Sequence, residues 1–139
     1  MDSPIATLAF KLKPKEIISE NEYLKPRAMR RGGRIVSWLY KPDNIKEYQK
    51  DLVFQIKSQL EEIPASSKLI GNKKLSLTIF NAFCLEKNFW KRDVTNAVKL
   101  YEDALKEALK IDDSRNITVN SSKIEEESEM IVTIINFYE

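Results

Sequence analysis

Two apolar stripes with helical spacing constrain the fold more than any other feature of this chain. The first steps by three or four residues and follows Pro42, with Asp43 in the N-cap position, so it predicts a helix over about 44–62. The second predicts a helix from Asp93 to about Lys110. The stripes consist of Ile45, Tyr48, Leu52, Ile56, Leu60 and Ile63 in the first, and Ala97, Leu100, Tyr101, Ala104, Leu105 and Ala108 in the second.

The remaining apolar segments have strand character, because apolar and polar residues alternate or β-branched and aromatic residues cluster. We predict strands over 6–12, 35–40, 75–83, 117–123 and 130–138, and a loop between the first helix and the strand at 75. The acidic run from Glu125 to Glu129 is interpreted as the solvated tip of a hairpin between the last two strands. We expect the core face of the third strand to be formed by Leu75, Leu77, Ile79, Ala82 and Phe83.

The resulting element order, β–(β)–α–β–α–β–β, indicates an α+β fold. Because 139 residues suit one domain, we expect a single domain over 1–139, with a mixed or antiparallel sheet and two main helices. A polar and basic loop at about 13–34 is predicted inside that domain.

Composition excludes several kinds of chemistry. The chain has no His, so it has no Ser-His-Asp triad, no Cys-His dyad and no His-ligated zinc or haem. Its one cysteine, Cys84, cannot form an internal disulfide or a thiolate metal cage, and we expect a small core residue there. Catalysis would therefore depend on carboxylates, Lys, Arg, Tyr or hydroxyls, with a hard metal ion as the natural partner.

The expected location follows from two further observations. No apolar run approaches the roughly 20 residues of a membrane span. The first ten residues, MDSPIATLAF, are short and acidic, unlike a signal peptide. We therefore expect a soluble, cytoplasmic protein with no membrane partner.

Basic residues concentrate between Lys25 and Lys41, where no acid occurs. Gly32 and Gly33 lie in the middle of this stretch, which predicts a flexible basic loop. Trp38 follows, with Tyr40 two residues later, and basic loops near aromatics suit a phosphate backbone with exposed bases. A solvated loop that only maintains solubility explains the charge equally well. The candidate DNA-binding residues are Lys25, Arg27, Arg30, Arg31 and Arg34.

The most informative segment runs along the second helix and just past it. At about 100° per residue, Thr95, Lys99 and Glu102 fall within roughly 60° of one another, on the polar face of the helix. Clustered acids with a nearby Lys are what a Mg²⁺-dependent phosphodiesterase requires, since carboxylates hold the cation and a Lys neutralises phosphate charge. The set comprises Asp93, Thr95, Asn96, Lys99, Glu102 and Asp103 on the helix, and Asp112 and Asp113 after it.

Each of these residues also has an ordinary structural interpretation. Asp93 can be an N-cap. Glu102 and Asp103 can be solvated acids paired with nearby lysines, and Asp112-Asp113 can be a turn. The catalytic interpretation therefore depends on the combination rather than on any single residue.

That combination resembles the RusA-like Holliday junction resolvases, a family found in prophages and related elements. The family pattern is R-D-x-D-N-x-x-K at the start of a helix, D-A-L further along it, and D-D-[SAR] after it. The chain has Arg92-Asp93-Val94-Thr95-Asn96 with Lys99, then Asp103-Ala104-Leu105, then Asp112-Asp113-Ser114. The region of Asn21, Tyr23 and Lys25 is similar to the family's Asn/Tyr/Lys-Pro-Arg segment.

The resemblance implies a homodimeric endonuclease that requires Mg²⁺, with Mn²⁺ as a substitute, and nicks four-way DNA junctions symmetrically. Carried over by position, the active site is Asp93, Thr95, Lys99 and Asp113, with Asn96, Asp103 and Asp112 in supporting positions. It also implies a cytoplasmic, nucleoid-associated location.

One departure from the family pattern bears on the chemistry. Thr95 replaces the second family carboxylate, and a hydroxyl carries no charge with which to hold Mg²⁺. Glu102 lies about 20° from Thr95 around the helix, two turns further on. We hypothesise that Asp93, Glu102 and Asp113 hold the metal, directly or through a water, with Asp103 or Asp112 behind them. The alternative is that Thr95 marks a weakened or altered enzyme.

Two other functions stay open. A non-catalytic nucleic-acid-binding homologue would keep the basic segment and lose the chemistry, although no RRM-type aromatic motif is present on the strands. An interaction protein would use its acidic last third, where residues 100–139 carry 4 basic and 10 acidic side chains, to bind a basic partner.

Overall fold

The computed structural model describes residues 3–15, 17–18, 25–40, 43–85, 94–111, 115 and 118–139. In these ranges the chain forms six strands and three helices. In chain order they are β1 (Ala6–Leu12), β2 (Lys25–Arg31), β3 (Arg34–Tyr40), α1 (Asp43–Glu61), α2 (Ser66–Gly71), β4 (Ser76–Leu85), α3 (Val94–Leu109), β5 (Thr118–Glu125) and β6 (Met130–Tyr138).

Four of the strands form a mixed sheet in the order β1-β6-β4-β5. β6 pairs antiparallel with both β1 and β4, with Leu8 and Ile79 opposite Ile135. β4 and β5 are parallel, and α3 connects them. This is the α+β, single-domain fold with a mixed sheet that the element order predicts.

Both long helices lie on one face of the sheet, and the core lies between the helices and that face. Gln55 and Gln59 of α1 hydrogen-bond to the backbone of β1 and the residue that follows it, for example Lys13 N to Gln55 Oε1 at 2.8 Å. Gln49 Nε2 donates to Leu100 O at 3.2 Å, which joins α1 to α3. The apolar stripes are buried as predicted, apart from Ile63 and Ala108, which are half-buried, and alternate residues of β1, β4 and β6 are buried with them.

The prediction of a basic loop at about 13–34 is wrong for the second half of that segment. Lys25–Arg31 and Arg34–Tyr40 pair as an antiparallel hairpin in a sheet of their own. Gly32 and Gly33 form the turn with φ of 54° and 79°, the left-handed values that a tight hairpin turn of this kind requires. The first strand of this hairpin, β2, was not predicted because its Arg and Lys residues interrupt the apolar alternation by which strands are recognised.

Three smaller expectations are also corrected. Residues 64–74 contain the short helix α2 rather than loop alone. The Glu125–Glu129 segment is not a hairpin tip, because β4 lies between β5 and β6 and Glu126 N donates to Leu85 O at the end of β4. On β4 the core position falls on Asn81, which is 3% exposed, rather than on Ala82, because the strict period of two continues through the polar residue.

Candidate active site

The crossover from β4 through α3 to β5 positions the predicted site. Because β4 and β5 are adjacent and parallel, α3 returns along the sheet between them. The helix begins at Val94, immediately after Asp93 in the sequence, so the start of the motif adjoins the N-terminus of α3. Asp93, Asp112 and Asp113 themselves lie outside the described residues, and their role stays a prediction.

A buried polar row fixes α3 to the sheet. Thr133 Oγ1 donates to Asn81 Oδ1 at 2.9 Å, and the Tyr101 hydroxyl hydrogen-bonds to Thr133 Oγ1. The Tyr101 ring also packs edge-on against Phe83, with centroids 5.7 Å apart and planes at 87°. Burial raises the pKa of Tyr101 well above its usual value, so the phenol is neutral and available as a donor. The turn of helix that carries Lys99 and Glu102 is therefore rigidly placed.

The polar face of α3 points away from this anchor. Lys99 and Asp103 are exposed, and Glu102 is half-buried next to the fully buried Tyr101. This confirms that these three side chains lie on the side of α3 away from the core. Thr95 and Asn96 lie in the first turn of the helix, but their side chains are not among those described. Among the described residues, no group of three or more Asp, Glu or Cys side chains could hold a metal ion.

The continuous helix limits what Glu102 can do. Because α3 is unbroken from Val94 to Leu109, position 94 lies about 12 Å along the axis from Glu102. Two carboxylates that share a Mg²⁺ place their oxygens within about 4–5 Å of each other. Backbone position 94 and Glu102 are therefore well separated along the helix, and the metal-ligating role of Glu102 stays a prediction because Asp93 and Asp113 lie outside the described residues.

The C-terminal end of α3 is anchored at the opposite end of β4. Lys110 adopts φ of 52° and its N–H donates to Lys106 O at 2.9 Å, which ends the helix in a left-handed residue. Arg115 is 7% exposed, and its guanidinium donates to the carbonyls of Ile70, Asn72 and Leu75, just before β4 begins. The neighbours of Asp112 and Asp113 on either side are thus held about 22 Å along α3 from Val94.

In a comparison with protein-family models, residues 22–135 match the family described as Endodeoxyribonuclease RusA. This chain belongs to the RusA endodeoxyribonuclease family. The match starts before β2 and ends within β6, so it includes the hairpin, all three helices and the whole parallel crossover. It confirms the resemblance to RusA-like Holliday junction resolvases that the carboxylate motif indicates. The comparison with curated proteins returned no match.

Within this RusA-family fold, the candidate DNA-binding residues lie on the β2–β3 hairpin. The strand register places Arg31 opposite Arg34 beside the turn, Arg30 opposite Ile35, and Arg27 opposite Trp38. Arg30 and Arg34 are exposed, as are both turn glycines. The side chains of Lys25, Arg27 and Arg31 are not among those described. The hairpin therefore concentrates at least two exposed guanidinium groups at one projecting turn.

Sequence reasoning missed the residues that hold this RusA-family site in place. Arg115 follows the Asp112-Asp113-Ser114 segment but was not singled out, although an Arg within an otherwise acidic turn is a detectable signal. Thr133 and Asn81 occupy core positions of apolar strands, where a polar residue at the buried period indicates a partner across the sheet. Within the described residues, no helix is both long enough and apolar enough to cross a membrane.

Proposed function

We propose that this RusA-family protein is a Mg²⁺-dependent endonuclease that binds and nicks four-way DNA junctions as a homodimer. The observation that carries the proposal is the family motif on α3: Lys99 and Asp103 are exposed on a helix whose opposite side is locked to the sheet by Tyr101. A rigid helix with an outward charged face can present a Lys to a DNA phosphate without disturbing the core.

Each residue of the motif has a proposed role. Asp93 and Asp113, with Asp112, would hold Mg²⁺, and the bound ion would supply polarisation of the scissile phosphate and activation of a water. Lys99 neutralises the negative charge that develops on the phosphate. Asn96 and Asp103 orient the groups beside them. Thr95 contributes a neutral hydroxyl where the family has a carboxylate.

Glu102 is proposed to compensate for Thr95 through a water rather than by direct ligation. It is half-buried, which restricts its rotamers, and it follows Tyr101, which is fixed by the polar row. We expect Glu102→Ala to reduce Mg²⁺-dependent cleavage severalfold, with Glu107→Ala, an exposed acid of the same helix, as the matched control. Full activity of Glu102→Ala would remove Glu102 from the site.

The β2–β3 hairpin is the proposed junction contact. Its exposed Arg30 and Arg34 suit phosphates, and phosphate contacts give a binding constant that falls with salt. Arg30→Ala together with Arg31→Ala should weaken junction binding and flatten the slope of log K against log salt. An unchanged slope would assign the contact to another part of the protein.

The decisive experiment compares cleavage of a labelled four-way junction with that of a matched duplex, with Mg²⁺ and with EDTA. We expect junction-selective nicking that requires Mg²⁺ and is abolished in Asp93→Asn but retained in Glu107→Gln. Tight junction binding without cleavage by the wild-type protein would favour the second candidate, a non-catalytic DNA-binding homologue. The specific observation in favour of that candidate is Thr95 in place of the family carboxylate.

A subunit-mixing experiment tests how the two halves of the carboxylate set meet, with Asp93 in one half and Asp112 and Asp113 in the other. Their described neighbours lie at opposite ends of α3, and we propose that the two halves meet either within one chain or across two chains. Asp93→Asn and Asp113→Asn should each be inactive alone. If the halves come from two chains, mixing the variants regenerates one intact site and single-strand nicking; if they come from one chain, the mixture stays inactive.

A further inference from the structure

A cavity of about 660 Å³ opens where the three described helices end. The last residue of each helix lines it, namely Glu61 of α1, Gly71 of α2 and Leu109 of α3. Because a helix that stops leaves the space beyond its last turn unfilled, three neighbouring helix ends leave a recess in the surface. Its volume is within the range of about 300–1,000 Å³ that is typical of ligand pockets.

Much of the wall of this cavity is apolar. Leu60 and Leu109 belong to the core, and Ile63, Ile70 and Ala108 are half-buried. None of the described residues that line the cavity is aromatic, so there is no ring on which a nucleobase could stack. The wall therefore favours an apolar side chain, which would gain free energy by leaving water.

The rim of the cavity is positively charged. Among the described residues that line it, four are basic and one is acidic: Lys57, Lys73, Lys110 and Arg115, with Glu61. The lysines are exposed and come from three different segments of the chain, so their charge is spread along the rim. Each helix C-terminus carries roughly half a negative charge, and three such ends do not cancel a formal excess of three positive charges. The cavity therefore favours an anion.

Arg115 places one of these positive charges in the wall itself. The residue is 7% exposed, and the described hydrogen bonds of its guanidinium all end on carbonyl oxygens, those of Ile70, Asn72 and Leu75. These oxygens carry no formal charge, so they satisfy the N–H groups without neutralising the cation. A charge held in the protein wall acts on a nearby anion more strongly than a charge in water does.

We propose that this cavity binds an acidic peptide segment that carries a large apolar side chain. The apolar wall accepts the side chain, and lysines on three segments suit several carboxylates spaced along one chain. A small anion such as phosphate would leave the apolar wall uncovered. The phosphates of DNA lie on a convex surface, which would contact the lysines but not fill the cavity. A segment of a partner protein is the ligand class that uses both the wall and the rim.

Fluorescence anisotropy with a labelled peptide tests the proposal. The probe is a run of aspartates followed by Leu-Phe, and two comparison peptides replace Leu-Phe by Ser-Ser or the aspartates by lysines. With the full chain at low ionic strength, we expect saturable binding of the probe and at least about tenfold weaker binding of both comparison peptides. The result does not depend on the proposed nuclease activity, because this assay contains neither DNA nor Mg²⁺.

Charge-reversal variants separate the rim from the net charge of the protein. Lys57→Glu combined with Lys73→Glu should raise the Kd of the probe about tenfold, because two rim cations become anions. Lys68→Glu combined with Lys74→Glu is the matched control. Both of these lysines are exposed and neither lines the cavity, so the same change in net charge should leave the Kd within about twofold.

Two further variants keep the test independent of folding. A Cβ at Gly71 would meet no atom within 4 Å, so the ring of Gly71→Trp enters open space at the cavity and removes no contact. Binding should weaken about tenfold or more, although every lysine is kept. Glu61→Gln removes the one acid of the described lining and should tighten binding about twofold, which a misfolded protein would not do.

Several outcomes would overturn the proposal. Absence of saturable probe binding would remove the site. Equal binding of the Leu-Phe and Ser-Ser peptides, or unchanged binding by Gly71→Trp, would reduce it to surface charge. An equal loss in the control with Lys68→Glu and Lys74→Glu would have the same meaning. Displacement of the probe by duplex DNA, with duplex binding weakened by the rim variant but not by Gly71→Trp, would make this end of the molecule a DNA surface.

Discussion

The two faces of the four-stranded sheet are formed by the same strands, yet their side chains differ in how far they are exposed to solvent. On β4, Leu77, Ile79 and Phe83 face the helices and are at most 3% exposed. Phe80, three residues from Phe83 on the same strand, is 42% exposed on the other face. The period of two along a strand therefore separates side chains that stabilise the core from side chains that face solvent.

The largest effect should come from a matched pair of truncations on β4. Phe83→Ala removes a fully buried ring that packs against Tyr101, so we expect a loss of about 3–5 kcal/mol in the free energy of unfolding. Phe80→Ala should lose about 1 kcal/mol or less, because this ring is already 42% exposed. Urea unfolding at low protein concentration measures both, and equal losses would mean that the two faces are not distinguished by burial.

The polar row on the helix-covered face should contribute less than the aromatic core. Tyr101→Phe deletes the hydroxyl that bonds to Thr133, with an expected loss of about 1–2 kcal/mol. Tyr138→Phe, at the end of β6, is the control and should be near neutral. Cleavage by Tyr101→Phe should also fall, because α3 and Lys99 lose their fixed position. A stable and fully active variant would show that packing alone places the helix.

Tyr101 also gives the covered face a distinct response to alkaline pH. Burial raises its folded-state pKa above the unfolded value of about 10, so the neutral phenol stabilises the fold at lower pH. As the pH rises above about 10, the unfolded state ionises first and this stability is lost, by up to about 1.4 kcal/mol per pH unit. Denaturant midpoints between pH 9 and 11 should therefore fall more steeply for the wild type than for Tyr101→Phe. Equal pH dependence of the midpoints in the two proteins would contradict the assignment of this alkaline loss of stability to Tyr101.

The smallest effect concerns Cys84, which lies near the carboxyl end of β4 on the face of the sheet away from the helices. The residue is 4% exposed, and burial raises the pKa of its thiol, as do Glu126 and Glu129, against a lowering by Lys11. We expect alkylation by iodoacetamide at pH 8 to be more than tenfold slower in the native protein than in urea.

The parts of the fold that could be predicted are those with an unbroken local period. β1 and β6 have the predicted bounds, and α1 lies within one residue of its predicted start and end, because alternation or helical spacing continues through each without interruption. The β2 strand was missed because its side chains are basic on successive positions, and α2 because one and a half turns are too short for a period. The order of strands in the sheet could not be derived, since β5 pairs with β4 rather than with its chain neighbour β6.

The candidate site likewise has one part that local periodicity predicts and another that depends on long-range contacts. The outward position of Lys99, Glu102 and Asp103 follows from helical spacing, and the structure confirms it. The anchors beneath them, Thr133 and Arg115, depend on contacts between residues 32 to 45 positions apart in the chain, which no local pattern contains. The metal-ligating role of Glu102 stays a prediction, because its proposed partners Asp93 and Asp113 lie outside the described residues.

The central place of β6 has a consequence for how the chain folds during synthesis. β6 follows the other described strands along the chain, and in the sheet it lies between β1 and β4. Until the ribosome has released residues 130–138, β1 has no strand to pair with, and one edge of β4 is open to other chains. The β4–α3–β5 unit can begin to form earlier, but the complete sheet must wait for its longest-range pairing, from Ala6 to Phe137. Folding should therefore be slow because of these long-range pairings, and the nascent chain should be most prone to aggregate before residues 130–138 emerge from the ribosome.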